Sequence, residues 1–336
     1  MGNEGMDFLN YTLSMPNQIY AAWSLPVPTV QKPKNIVVAG MGASSIGGDI
    51  LQSLLLETLP IPVFVNRSYS IPAFVSSETL FFSVSHSGNT EETLTATKKA
   101  LERGAIVVGI GTGGKLEELC ASSGAVFIKI PKAPQPRAAV ATLFFPMLKT
   151  LHVSGFLDME NNVIETVNLL NSMKPELGYV SVDNGAKGVA VLLRGKFPII
   201  FGAGPYTSIA RRFSNRLQED CRTLSYWSEF PEMNHNEIMA WPVDPRAKET
   251  IAVLLRDPQE DDRVGQRIEL TKRLAFKTNT ELWALGESLL CKIFSLLYMA
   301  DLISVYLALD LGINPNSSET IESLKKELSS LPRLEE

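Results

Sequence analysis

Two short runs, "NIVVAGMG" at 35–42 and "FPIIFGAG" at 197–204, constrain this chain more than any other feature. Each is an unbroken apolar segment of strand length that ends in glycine, and a segment of helical period follows each: "SSIGGDILQSLLLET" after the first, "YTSIARRFSNRLQED" after the second. A strand apolar on both faces cannot leave one face in water, so helices must cover both sides of its sheet. The pattern recurs in "PVFVNR", "TLFFSVS", "AIVVGIG", "AVFIKIP" and "TIAVLLRD", with helical segments such as "NTEETLTATKKALERG", "KLEELCASSG" and "DRVGQRIELTKRLAF" between them. Alternation of this kind predicts an α/β fold with mostly parallel sheets. A chain of 336 residues exceeds one ordinary core. The repeated run-then-glycine unit predicts two related α/β subdomains, 1–154 and 155–336, each a mostly parallel sheet flanked by helices.

Charge and composition narrow the partners. A net charge of −5 gives no electrostatic footprint for nucleic acid. The start, "MGNEGMDFLNYTLSMP", lacks a basic segment followed by an apolar core, so no secretory signal is expected. Cys120, Cys221 and Cys291 are far apart and odd in number; they read as core residues of a cytoplasmic protein, neither a disulfide framework nor a metal set. The most apolar stretch, 282–313, is interrupted by Glu287, Lys292, Asp301 and Asp310, so no membrane span is expected. It reads as one long buried helix, a candidate for packing between subunits.

"SVSHSGNTEET", 83–93, places five hydroxyls around one Gly-Asn pair after a strand and before a helix. "GMGASSIGGD" is a second glycine-rich turn, with two serines, after the first strand and before a helix. Helix N-termini offer unpaired N–H groups and the positive end of the dipole, and hydroxyls add donors without charge, which suits a phosphate that must come and go. Either turn alone reads as helix capping. Two at successive strand ends mark a ligand site, because open α/β sheets bind ligands there. A competing reading takes Gly40, Gly42 and Ser45 as an imperfect dinucleotide fingerprint with Arg67 for a 2′-phosphate, but it leaves the serine loop unused.

These two motifs together resemble the sugar isomerase (SIS) domain family. "FPEMNHNEIMAW" (230–241), "KAPQPRAA", "RFSNRLQED" and a C-terminal "NPxxxxxIxxLKxxL" extend the resemblance over the whole chain, to the bifunctional phosphoglucose/phosphomannose isomerases. The resemblance implies a homodimer of SIS subdomains, with no metal or other cofactor, acting on sugar phosphates. It implies a phosphate cradle of Ser44, Ser85, Ser87 and Thr90. It assigns Glu219, sixteen residues before His235, as the base, and His235, donated across the dimer, to ring opening. Arg137 would stabilise the enediol-like charge and Lys325 would lie near the ring oxygen.

The chain departs from the family pattern in places. His86 stands where the family usually has Tyr, Gln218 and Arg222 flank the base in place of Asn and Lys, and Ser317 or Ser318 stands in for a threonine. Asp220, beside the base, is expected to tolerate Asn. Moving a proton between C1 and C2 of an opened sugar needs a carboxylate base, an acid–base group at the ring oxygen and a cation near the oxyanion, and Glu219, His235 and Arg137 supply those types. Without the family pattern, His235 would read as structural and Lys325 as part of a solvated helix face. The alternative function is a non-catalytic sugar-phosphate sensor, which "PEMNHNE" and the lack of a basic appendage disfavour.

Overall fold

The computed structural model describes residues 3–331; residues 1–2 and 332–336 of the two expected subdomains lie outside them. The first sheet contains β1 (Asn35–Ala39), β2 (Val63–Asn66), β3 (Thr79–Val84), β4 (Ile106–Gly111) and β5 (Val126–Lys129), all parallel, in spatial order β2–β1–β3–β4–β5. The second contains β6 (Phe197–Ala203), β7 (Tyr226–Phe230), β8 (Thr250–Arg256) and β9 (Asn279–Trp283), also all parallel, in order β7–β6–β8–β9. The central strands are the apolar runs of the sequence; β3 and β8 are buried along their whole length. The two-sheet α/β architecture is therefore as the sequence predicts.

The helices in chain order are α1 (Asn3–Leu13), α2 (Met15–Ser24), α3 (Ala43–Leu55), α4 (Glu91–Glu102), α5 (Gly114–Ser123), α6 (Val140–Val153), α7 (Glu160–Leu177), α8 (Gly185–Leu193), α9 (Thr207–Cys221), α10 (Asp262–Leu274), α11 (Leu289–Asp310) and α12 (Glu319–Ser330). One apolar cluster joins the two halves: Phe144 and Phe145 of α6 pack on Phe294 of α11, ring centroids 5.4 and 4.9 Å away. All three cysteines are buried in the core, as read, and burial pushes the Cys120 thiol up to about 11.

The expected helix over 282–313 needs correction. Leu282 and Trp283 belong to β9, and the chain turns at Gly286, whose φ of +104° is open to glycine. The helix starts only after Ser288, whose hydroxyl accepts from the Cys291 N–H at 3.3 Å. Glu165 of α7 holds the same start by accepting from the Glu287 N–H at 2.6 Å. From Leu290 to Ala308 every residue but Met299 is buried inside the chain, so this helix is not held in reserve for a partner.

Candidate active site

The serine loop lies where β3 meets α4. Ser85 is 1% exposed and its Oγ lies 2.9 Å from Thr90 Oγ1. Thr90 is the N-cap of α4 but makes no side-chain cap bond, so its hydroxyl faces Ser85 and not its own helix. Ser44 opens α3 at the end of the neighbouring strand β1, 5% exposed. Ser87 is exposed, with its Oγ accepting from the Asn89 N–H at 3.2 Å. The four predicted cradle residues thus stand at the carboxyl ends of two adjacent strands.

Asn89, the asparagine of the Gly-Asn pair, has a specific role. Its Oδ1 accepts from the Lys115 N–H at 3.1 Å, so it caps α5 from the neighbouring loop. Gly88, at φ +67°, touches that loop so closely that a Cβ there would lie 1.7 Å from the Gly113 carbonyl oxygen. A Cβ on Gly111 would lie 2.3 Å from the Ser85 carbonyl oxygen.

His86 looks the other way. Its Nε2 accepts from the Ala133 N–H at 3.2 Å, tying the serine loop to the segment that carries Arg137. Burial, then Lys132, lowers its pKa, which favours the neutral ring this bond requires.

Arg137 sits in a short 3₁₀ turn, Pro136–Ala138, and is 2% exposed. Its guanidinium is held on three sides. Nε donates to Asp220 Oδ1 at 2.8 Å, Nη2 to the carbonyls of Pro315 and Ser317, and Nη1 to Gln135 Oε1 at 3.5 Å. It also lies over the Phe8 ring, 5.6 Å from the centroid. Nη1 is 3.6 Å from Glu219 Oε2.

Glu219 and Asp220 end α9 and differ sharply. The Asp220 side chain is fully buried, Oδ1 taken by Arg137 and Oδ2 by Arg216 at 2.9 Å and the Ser304 hydroxyl at 2.7 Å. The Glu219 side chain is 28% exposed and carries no hydrogen bond on its carboxylate among the described residues. Burial raises its pKa above the ordinary carboxylate range, against the pull of Arg137 and Arg216. Of the two, Glu219 is the carboxylate free to take a proton. Arg222 closes the helix in the left-handed region, φ +54°, and donates to the carbonyls of Glu219 and of Ser317, the latter at 2.7 Å. Nothing in the sequence signals that the Ser317 backbone carbonyl, shared by Arg137 and Arg222, anchors this corner.

His235 is not beside Glu219. It lies in the exposed turn Glu232–His235 beyond the carboxyl end of β7. From β6, α9 runs back along the sheet, so twelve residues from Thr207 to Glu219 span about 18 Å toward the amino edge. Lys325 is exposed two turns into α12. Arg67, the candidate for a 2′-phosphate, is engaged by Asp49 and by Ser45 Oγ at 3.0 Å.

A family model described as the SIS domain matches residues 29–152, and one described as the C-terminal SIS domain of bacterial phospho-glucose isomerase matches 182–328. The chain is 34% identical over 333 residues to a bifunctional phosphoglucose/phosphomannose isomerase of Caldicellulosiruptor bescii, covering 95% of this chain and 98% of that one. It is 28% identical over 325 residues to a D-glucosamine-6-phosphate 4-epimerase of Sulfolobus acidocaldarius, covering 94% and 98%. Its fold matches a glucose-6-phosphate isomerase-like protein of Thermus thermophilus with a TM-score of 0.62 at 19% identity, covering 97% and 99%. Serine loop, arginine turn, open carboxylate and whole-length likeness converge, and the chain belongs to the SIS-domain family of bifunctional phosphoglucose/phosphomannose isomerases.

Proposed function

We propose that this protein interconverts glucose 6-phosphate and mannose 6-phosphate with fructose 6-phosphate, through an enediol-type intermediate. One observation carries the reading: Glu219, whose carboxylate has no hydrogen bond among the described residues, lies 3.6 Å from Nη1 of the buried Arg137. A base and a cation so placed fit a carbon acid whose charge appears on the neighbouring oxygen. The unit 1–154 supplies the phosphate cradle Ser44, Ser85, Ser87 and Thr90. The unit 155–336 supplies Glu219 as the base and His235 for ring opening. Lys325 serves near the ring oxygen. All these groups are side chains, so the proton transfer is proposed to run without a metal, in the cytoplasm where sugar phosphates are met.

The test is a coupled assay with glucose 6-phosphate and mannose 6-phosphate, with glucosamine 6-phosphate as a third substrate. Turnover of the first two supports the reading. Binding without turnover of any of the three leaves a sensor as the better account.

The site is proposed to need two copies. Glu219 and His235 lie at opposite edges of one sheet, so a site holding both draws His235 from a partner. A partner would also cover Ile321, Leu324 and Leu328, which form one stripe on α12 and are 43–59% exposed. Mixing inactive Glu219→Gln and His235→Ala subunits should restore activity, because a dimer of one of each has one site with neither lesion. Background activity after verified exchange would show that each site is built from one chain.

Ser87→Ala or Thr90→Val should mainly raise KM, since these hydroxyls hold the non-reacting phosphate. Thr90→Val also leaves the buried Ser85 hydroxyl without its partner at 2.9 Å. Unchanged KM in both variants would remove the cradle assignment.

A further inference from the structure

Behind Glu219 lies a buried set of charges of which the proposed reaction touches only Arg137. Arg212 donates to Asp301 through Nε at 3.0 Å and Nη2 at 2.5 Å. Its Nη2 also reaches the Arg137 carbonyl at 3.0 Å. Arg216 lies between the two aspartates, 2.9 Å from Asp220 and 3.4 Å from Asp301. Its guanidinium nitrogens, though buried, meet no acceptor in hydrogen-bonding geometry, so its tie to the aspartates is one of charge. Arg137, Arg212 and Arg216 against Asp220 and Asp301 give +3 − 2 = +1. Glu219, at the mouth of the set, is the sixth member.

We propose that these five buried residues form a charge reserve matched to the intermediate, with Arg212, Arg216 and Asp301 acting as positioning residues that never touch the substrate. With Glu219 ionised the set is neutral. When Glu219 takes the proton from the substrate C–H, the electron pair of that bond forms the C1–C2 double bond and the carbonyl π pair moves onto oxygen. The five residues then carry one uncompensated positive charge while the new enediolate carries one negative charge at the open edge of Arg137. The sum over set, base and reacting atoms stays zero before and after the step, so the step leaves no net charge where one is most costly. Reversal of the proton transfer at the adjacent carbon restores the starting state. This inference rests on Glu219 being the base.

Other charges near Glu219 do not alter the sum inside. Among the described residues, Arg222, at the end of α9, reaches only backbone carbonyls, and Glu319 and Glu322, opening α12, lie exposed against the Ser317 and Ser318 hydroxyls. Solvent and salt screen them.

The experiment changes the reserve by one unit in each direction. Asp301→Asn raises it and should make Glu219 ionise at lower pH, by a shift on the order of one pH unit at an effective dielectric of about 20. Arg216→Met lowers it and should shift the ionisation upward by a similar amount. Ser304→Ala removes the bond to Asp220 without changing charge and should leave the ionisation in place. Glu219 is followed by 13C-carboxyl NMR titration, its resonance assigned by its absence in Glu219→Gln, and by the acid limb of kcat/KM. The NMR titration needs no turnover, so it stands even where the isomerase assay fails. Opposite shifts support the reserve. Shifts of one sign, or none, overturn it, since repacking alone does not distinguish an added charge from a removed one. Where Arg216→Met fails to fold, a downward shift in Asp301→Asn against a still limb in Ser304→Ala supports the proposal, and any other pair of results overturns it.

Discussion

Glu219→Gln is expected to lower kcat by about 10²–10⁴, the usual contribution of a positioned base, with KM nearly unchanged. The amide keeps the shape of the side chain but has no basic lone pair to accept the carbon-bound proton. The cradle at Ser85 and Thr90 is untouched, so substrate still binds. The same variant should stop exchange of solvent deuterium into C1 or C2 of fructose 6-phosphate, measured by NMR with no coupling enzyme. Exchange at the parent rate would take the base assignment away from Glu219. In the parent, kcat/KM should fall on the acid side at a pH above the ordinary carboxylate range, because burial raises the Glu219 pKa and the base works only when ionised.

The second large effect falls on stability. Asp220→Asn is expected to cost about 3–5 kcal/mol, the range for breaking a buried ion pair by removing one partner. Asp220 accepts from Arg137 and Ser304 and is ion-paired with Arg216 at 2.9 Å, and its side chain is fully buried. Asn can still accept through one atom, but its amide turns two N–H donors on neighbours that also donate. Arg137 then loses its anchor, so catalysis should fall as well. A denaturant midpoint equal to that of the parent would refute this. The resemblance, which places the base at Glu219, implies a milder effect for Asp220→Asn. Arg212, Arg216 and Asp220 in fact follow one another at four-residue spacing on the buried face of α9, a pattern visible in "RRFSNRLQED" only once that face is known to be inward.

What could be read from the sequence follows from what is buried. Central strands such as β3 and β8 appear as unbroken apolar runs because both faces are covered. β7 and β9, "YWSEF" and "NTELW", are the edges of the second sheet; partly exposed, they mix polar and apolar residues and gave no signal. α7, "ENNVIETVNLLNSMKPEL", buries only a thin stripe and was missed for the same reason. The strand–turn–helix boundary near Gly286 was hidden because apolar composition is the same on both sides of it. At the site, residue types could be read, and the choice of Glu219 over its neighbour came from resemblance. What no pattern could supply was contact: the shared Ser317 carbonyl, the His86 link to Ala133, and, among the described residues, the absence of any hydrogen bond on the Glu219 carboxylate.

The interlocked loops beside the cradle limit how this protein can change over generations. With no room for a single carbon on Gly88 or Gly111, neither loop can accept a side chain while the other stays as it is. With the proposed cradle beside them, a lineage seeking a new substrate is barred from reshaping these loops by small steps and keeps the phosphate as a fixed handle. In the proposed reading variation is left to the rest of the site, so inherited diversity in a family built this way should be diversity of sugar chemistry on a constant phosphate.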